Sequence, residues 1–167
     1  AVTSFDGNTS PHALQTKNRY ENGPIVSLGV ADKASADALS IMEYAAAHGV
    51  IACMPTGGSS GIPVPSIRYS AEALKKSKED CLKALLVAGI VGICYYRTHY
   101  HGAWGCQAEI GVSISMTAGA LASLLTDDPD VIERAAVLGA QSVLGQICDP
   151  VDGCSQVPCF IRNMTAV

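Results

Sequence analysis

From Cys106 to Leu125 the chain runs for twenty residues with one formal charge, at Glu109. Within that run Gly111, Ser115, Gly119 and Ser123 recur every four residues. On a helix that spacing places four small side chains on one face, where a second backbone can come close. The segment therefore predicts a buried central helix, with the rest of the chain packed around it. Twenty residues could also cross a bilayer, but Gln107 and Glu109 sit inside this run. The other uncharged stretch, Ala84–Tyr96, has only thirteen residues. Both read as buried helices rather than membrane spans.

Composition points the same way. Hydrophobic residues make up 49%, yet aromatic residues only 5%, so the apolar bulk is small and aliphatic. Charged residues are 16%, against about 25% in an average domain, which excludes a disordered chain. The net charge is −4 and no basic run stands out; Lys75, Lys76 and Lys78 read as a solvated helix face. Nucleic acid is therefore not the expected partner. At 167 residues one domain is expected. The expected class is mainly α: a single compact helical domain of about six helices with Gly/Pro-rich functional loops.

Helices are expected over Ala31–His48, about Ser66–Leu74, Lys78–Tyr96, Cys106–Leu125 and from Asp127-Asp128-Pro129 to about Ile147. A last helical turn follows Cys159. Gly49 is expected to stop the first of them. The first thirty residues are polar, with Asp6-Gly7-Asn8, Ser10-Pro11 and Asn22-Gly23-Pro24 as turn signals, and read as irregular. Met54–Pro63 holds two prolines and three glycines and reads as a loop.

The seven cysteines are Cys53, Cys81, Cys94, Cys106, Cys148, Cys154 and Cys159. An odd number cannot pair fully within one chain, and no leader peptide precedes them, so a reducing cytoplasmic compartment is expected. Cys53, Cys81 and Cys94 lie on apolar segments and read as core. Cys106, Cys148 and Cys159 sit at loop–helix edges, where thiols can converge, be partly exposed and be acidified towards thiolate. For these three, metal binding and inert buried thiols are both open readings.

Several segments resemble the iron–sulfur-dependent L-serine dehydratases, in their alpha chain or domain. They are Gly105-Cys106-Gln107-Ala108-Glu109-Ile110-Gly111, Cys148-Asp149-Pro150-Val151, Gln156-Val157-Pro158-Cys159 with Arg162-Asn163, and Pro55-Thr56-Gly57-Gly58-Ser59-Ser60-Gly61-Ile62. The resemblance spans nearly the whole chain and implies part of an alpha subunit with no beta domain. It implies a [4Fe-4S] cluster on Cys106, Cys148 and Cys159, with Cys154 as a candidate fourth ligand. It also implies deamination of L-serine to pyruvate and ammonia. Thr56, Gly57, Ser59 and Ser60 would hold the substrate carboxylate, since such a loop offers backbone N–H groups and hydroxyls.

The sequence departs from the family pattern at Asn8–Ala13, Glu43–Gly49, His101–Cys106, Asp152 and Ile161. Two alternatives follow. One is a related iron–sulfur lyase for a different hydroxy-amino or hydroxy acid; the other is a non-catalytic scaffold, with zinc or no metal on the three cysteines. The catalytic base is not assigned; by residue type the candidates are His48, His99 and His101. Expected partners are a small hydroxy-amino acid, and a beta subunit or a second copy of the chain.

Overall fold

The computed structural model describes residues 12–23, 26–97, 105–148 and 159–167. Seven α-helices lie among them: α1 (His12–Glu21), α2 (Val30–Ala46), α3 (Pro63–Ala73), α4 (Lys78–Arg97), α5 (Cys106–Ser123), α6 (Pro129–Gln141) and α7 (Ile161–Thr165). A short 3-10 turn at Gly57–Ser59 precedes α3, and no strand occurs among the described residues. The mainly α expectation holds.

The centre is α5, which packs against α3, α4, α6 and the 3-10 turn. Its small-residue face does what the four-residue spacing requires. The Ser115 hydroxyl donates to the Ala136 carbonyl of α6 at 2.7 Å. A Cβ at Gly119 would lie 3.1 Å from Val91 of α4 and 3.5 Å from Ala136. Glycine on the partner helix answers it: a Cβ at Gly139 would lie 2.9 Å from Ala118 and 3.1 Å from the Ile114 carbonyl.

Two apolar clusters surround this axis. One joins Ile67, Ala71, Ala84, Ala88, Val112, Met116, Ala120 and Leu124 between α3, α4 and α5. The other joins Ala13, Leu39, Met42 and Ile62 to Cys106, Ile110, Cys159 and Phe160. The second cluster brings α1, α2, the start of α5 and the approach to α7 to one place.

Helix boundaries depart from the sequence reading at several points. The polar start of the chain holds a helix, α1, with Ala13 as its buried residue. The buried Glu43 carboxylate of α2 accepts from the Ala13 N–H at 2.9 Å, satisfying one of the N–H groups a helix start leaves over. α3 opens at Pro63 rather than Ser66, because a proline in the first turn loses no helical hydrogen bond. α6 closes at Gln141, short of Ile147. At the end of α2 the left-handed residue is His48, with φ 59°, rather than Gly49. A Cβ at Gly49 would meet the Tyr44 ring, which is 45% exposed and can swing aside.

Candidate functional site

Cys106 is the first residue of α5 and is 1% exposed; Cys159, just before α7, is 7% exposed. Fifty-three residues apart in sequence, their sulfurs stand 4.0 Å from each other. The Cys148 side chain comes to the same place, with its Cβ against Gly105 and its thiol near enough to raise the Cys106 pKa. All three are free thiols; Cys106 and Cys159 are buried and Cys148 is exposed.

Local sequence explains this convergence. Gly105 caps α5 with φ 72°, and a Cβ on it would lie 2.9 Å from the Cys148 Cβ. Glycine is therefore needed there both for the backbone angle and for room. Gln107, one residue into the helix from Cys106, accepts from the Gln146 N–H at 2.8 Å. That bond ties the chain leaving α6 to the start of α5 and sets Cys148 beside Cys106.

Asn163 of α7 is fully buried and locks the third thiol to the glycine loop. Its amide nitrogen donates to the carbonyls of Cys159 and Gly58, both at 2.8 Å. Its amide oxygen accepts from the Gly61 N–H at 2.9 Å. From α5, the Ser113 hydroxyl donates to the Ser59 carbonyl at 3.2 Å. The Thr56–Gly61 loop and the cysteines thus form one assembly.

Within the loop, Ser59 and Ser60 are buried and their hydroxyls face inward. Ser60 Oγ donates to the Gly57 carbonyl at 2.9 Å, and Ser59 Oγ lies 3.2 Å from Thr56 Oγ1. Thr56 and Gly57 are half-buried. Nothing stands within 4 Å of a Cβ built on Gly57, so that side of the loop is open. Over Gly58 lies the carboxylate of Glu109, one turn after Cys106; a Cβ on Gly58 would be 2.9 Å from Glu109 Oε2.

Cys106 and Cys159 are not acidified as their helix-edge positions suggested. Burial pushes Cys159 up to about 12, helped by Cys106, Glu109 and Cys148 nearby. Burial and then Cys148 raise Cys106, while hydrogen bonds from Cys159 and Arg162 pull it back. Desolvation outweighs the helix terminus here. Burial therefore keeps Cys106 and Cys159 as neutral thiols in the bare protein, and a bound cationic centre would have to displace their protons. No three His, Cys, Asp or Glu side chains among the described residues are placed to hold a single metal ion.

Other sequence candidates fall elsewhere. His48 is exposed at the end of α2. His99, His101 and Cys154 lie outside the described residues. Cys53 and Cys94 are exposed, not core, whereas Cys81 is half-buried and packs against the apolar cluster of α3, α4 and α5. Cys53 follows α2 in an extended segment, and Cys94 lies away from the buried side of α4. Glu109, Arg162 and Asn163 were not singled out by residue type. The signal available for Glu109 was its place one helical turn after Cys106.

The serine dehydratase alpha chain family model matches residues 4–167. The chain belongs to that family. It is 40% identical to the L-serine dehydratase of Streptomyces coelicolor over 134 residues, 78% of this chain and 30% of that protein. A probable L-serine dehydratase alpha chain of Bacillus subtilis is 31% identical over 164 residues, 97% of this chain and 55% of that one. L-serine dehydratase 1 of Escherichia coli is 35% identical over 156 residues, 92% of this chain and 34% of that protein. The chain thus spans between about a third and about half of the length of these relatives. No described helix is long and apolar enough to cross a membrane.

Proposed function

We propose that this chain is the cluster- and substrate-holding part of an iron–sulfur L-serine dehydratase, acting on L-serine or a close hydroxy-amino acid in the cytoplasm. The observation that carries the reading is the convergence of Cys106, Cys148 and Cys159 beside the glycine loop. The three thiols would hold a [4Fe-4S] cluster. Bound there with one iron free of protein thiolate, it would supply a Lewis acid for a substrate hydroxyl and carboxylate.

The chain's own residues supply the rest. The open side of Gly57, with Thr56, takes the substrate carboxylate; the first N–H groups of a 3-10 turn have no carbonyl partner within it. Ser59 and Ser60 serve that loop by holding its shape from inside. Glu109, against both the loop and Cys159, is the group that accepts the substrate α-proton. Its charge also favours a substrate with an ammonium group, and so a hydroxy-amino acid over a simple hydroxy acid. A beta chain completes the enzyme, as the alpha-chain naming of the Bacillus relative suggests.

The test is anaerobic reconstitution with iron and sulfide, then an assay for pyruvate from L-serine, with and without a family beta chain. Threonine and 2-hydroxy acids serve as comparison substrates. Pyruvate formed from serine in preference to 2-oxo acids from the others is the expected result. Iron uptake with no turnover of any of these compounds would favour the scaffold alternative.

A further inference from the structure

Cys106, Cys148 and Cys159 share one place in the fold but not one exposure. Cys106 and Cys159 are buried, whereas Cys148 is open to solvent. The two buried sulfurs stand 4.0 Å apart. Thiols this close need only a short movement of their sulfurs to bond. Cys148 stands at the start of the same helix. Its Cβ lies 2.9 Å and its Sγ 3.8 Å from a Cβ built on Gly105, the residue before Cys106. One thiol therefore faces the solvent, with two more behind it.

Access sets the order in which these thiols meet an oxidant. Thiol oxidation follows exposure, so a small peroxide reaches Cys148 first. A sulfenic acid formed there has a neighbouring thiol to condense with, and is diverted from the irreversible sulfinic acid. A third thiol beside the second can then exchange into the mixed disulfide. Cys53 and Cys94 are exposed too, but lie elsewhere, after α2 and on α4.

We propose that the three thiols form a peroxide-sensitive switch, in which Cys148 is oxidised first, Cys106 resolves it, and the disulfide comes to rest between Cys106 and Cys159. Hydrogen peroxide takes two electrons from the Cys148 thiol, giving a sulfenic acid and one water. The Cys106 sulfur attacks that sulfur, and the hydroxyl leaves with the Cys106 proton as a second water. The Cys159 sulfur then attacks Cys106, and Cys148 departs as a thiol carrying the Cys159 proton. The sum is two thiols and one peroxide giving one disulfide and two waters. The consequence rests on the iron–sulfur reading: two of the three proposed ligands are withdrawn, yet kept recoverable by reduction. The thiol chemistry itself needs no iron.

The test treats anaerobically reconstituted protein, and the same protein stripped of iron by a chelator, with hydrogen peroxide. Free thiols are then blocked with iodoacetamide and the peptides mapped by tandem mass spectrometry. A Cys106–Cys159 link is expected in both samples, reversed by dithiothreitol, with iron uptake returning afterwards. Cys148→Ser should slow the link at least tenfold, and Cys159→Ser should trap a Cys106–Cys148 link. Cys53→Ser and Cys94→Ser should change neither. Sulfinic acid on Cys148 with Cys106 and Cys159 still free would overturn the proposal, as would a Cys148–Cys154 link. A Cys106–Cys159 link formed at the wild-type rate in Cys148→Ser would overturn the role of Cys148. Iron uptake without any link contradicts the switch alone, and a link in protein that never takes up iron contradicts the cluster alone.

Discussion

The Asn163 side-chain oxygen accepts from the Gly61 N–H at 2.9 Å, across 102 residues of sequence. With its two donated bonds to Gly58 and Cys159, this fully buried amide joins the glycine loop to a cysteine of the candidate site. Asn163→Ala would leave one buried N–H and two carbonyls without that partner. A loss of about 3 kcal/mol is expected, read as a lower urea midpoint. Asn163→Asp keeps an acceptor for Gly61 but turns acceptors towards two carbonyls, and should do no better.

Gly61 has its own requirement. A Cβ there would sit 2.8 Å from the Ala38 carbonyl and 2.9 Å from Asn163 Oδ1. Neither atom is the end of a flexible chain. Gly61→Ala should destabilise by about 1–3 kcal/mol, again measured by denaturant unfolding.

The α5–α6 contact makes a similar prediction with an opposing propensity. Alanine favours a helix over glycine by about 1 kcal/mol, yet a Cβ at Gly139 would press on Ala118 and the Ile114 carbonyl. Steric crowding is expected to win, so Gly139→Ala lowers the melting temperature. The outcome separates a glycine chosen for close approach from one that is merely tolerated.

Glu109 can be tested by kinetics. If it accepts the α-proton, Glu109→Gln in the reconstituted enzyme with its beta chain should lower kcat by about 10²–10⁴. KM and iron content should stay near wild type. If instead the carboxylate only binds the substrate ammonium, KM rises while kcat changes little. Slower exchange of the substrate α-deuterium with solvent in the variant would support the first assignment.

A pH prediction comes from α2 and α3. The Tyr69 hydroxyl donates to Asp37 at 2.7 Å, and burial together with that bond raises its pKa to about 12. The ordinary value is about 10. A raised folded pKa favours the protonated phenol, so its contribution to stability is complete below pH of about 10 and fades as pH climbs through about 12. Tyrosinate absorbance should show one phenol ionising late. Asp37→Asn should bring it down part of the way, since burial remains the larger cause.

The sequence reading recovered what local periodicity encodes. Gly111, Ser115, Gly119 and Ser123 announced a close-packed face, and the structure puts α4 and α6 against it. It missed α1, a polar helix anchored by Glu43 from thirty residues away, which no local pattern reveals. It carried α6 too far, because the chain there is turned by Gly145, with φ 88°, and held by Gln107 from another helix. The three cysteines came from family motifs; their spacing alone does not bring Cys106 and Cys159 together. The elevated pKa of Cys106 and Cys159 was also illegible, since burial and mutual proximity exist only in the fold. Glu109 and Arg162 escaped for the same reason: each gains its meaning from a neighbour distant in sequence.

The central claim is that Cys106, Cys148 and Cys159 together hold an iron–sulfur cluster. Its most direct test is the iron and sulfide content of anaerobically reconstituted protein, wild type against single Cys→Ser variants. About four irons per chain are expected in the wild type. Cys106→Ser, Cys148→Ser and Cys159→Ser should each fall towards zero, while Cys53→Ser and Cys81→Ser stay at the wild-type level. A wild-type protein that takes up no iron, or one that keeps its iron with all three cysteines replaced, would contradict the account.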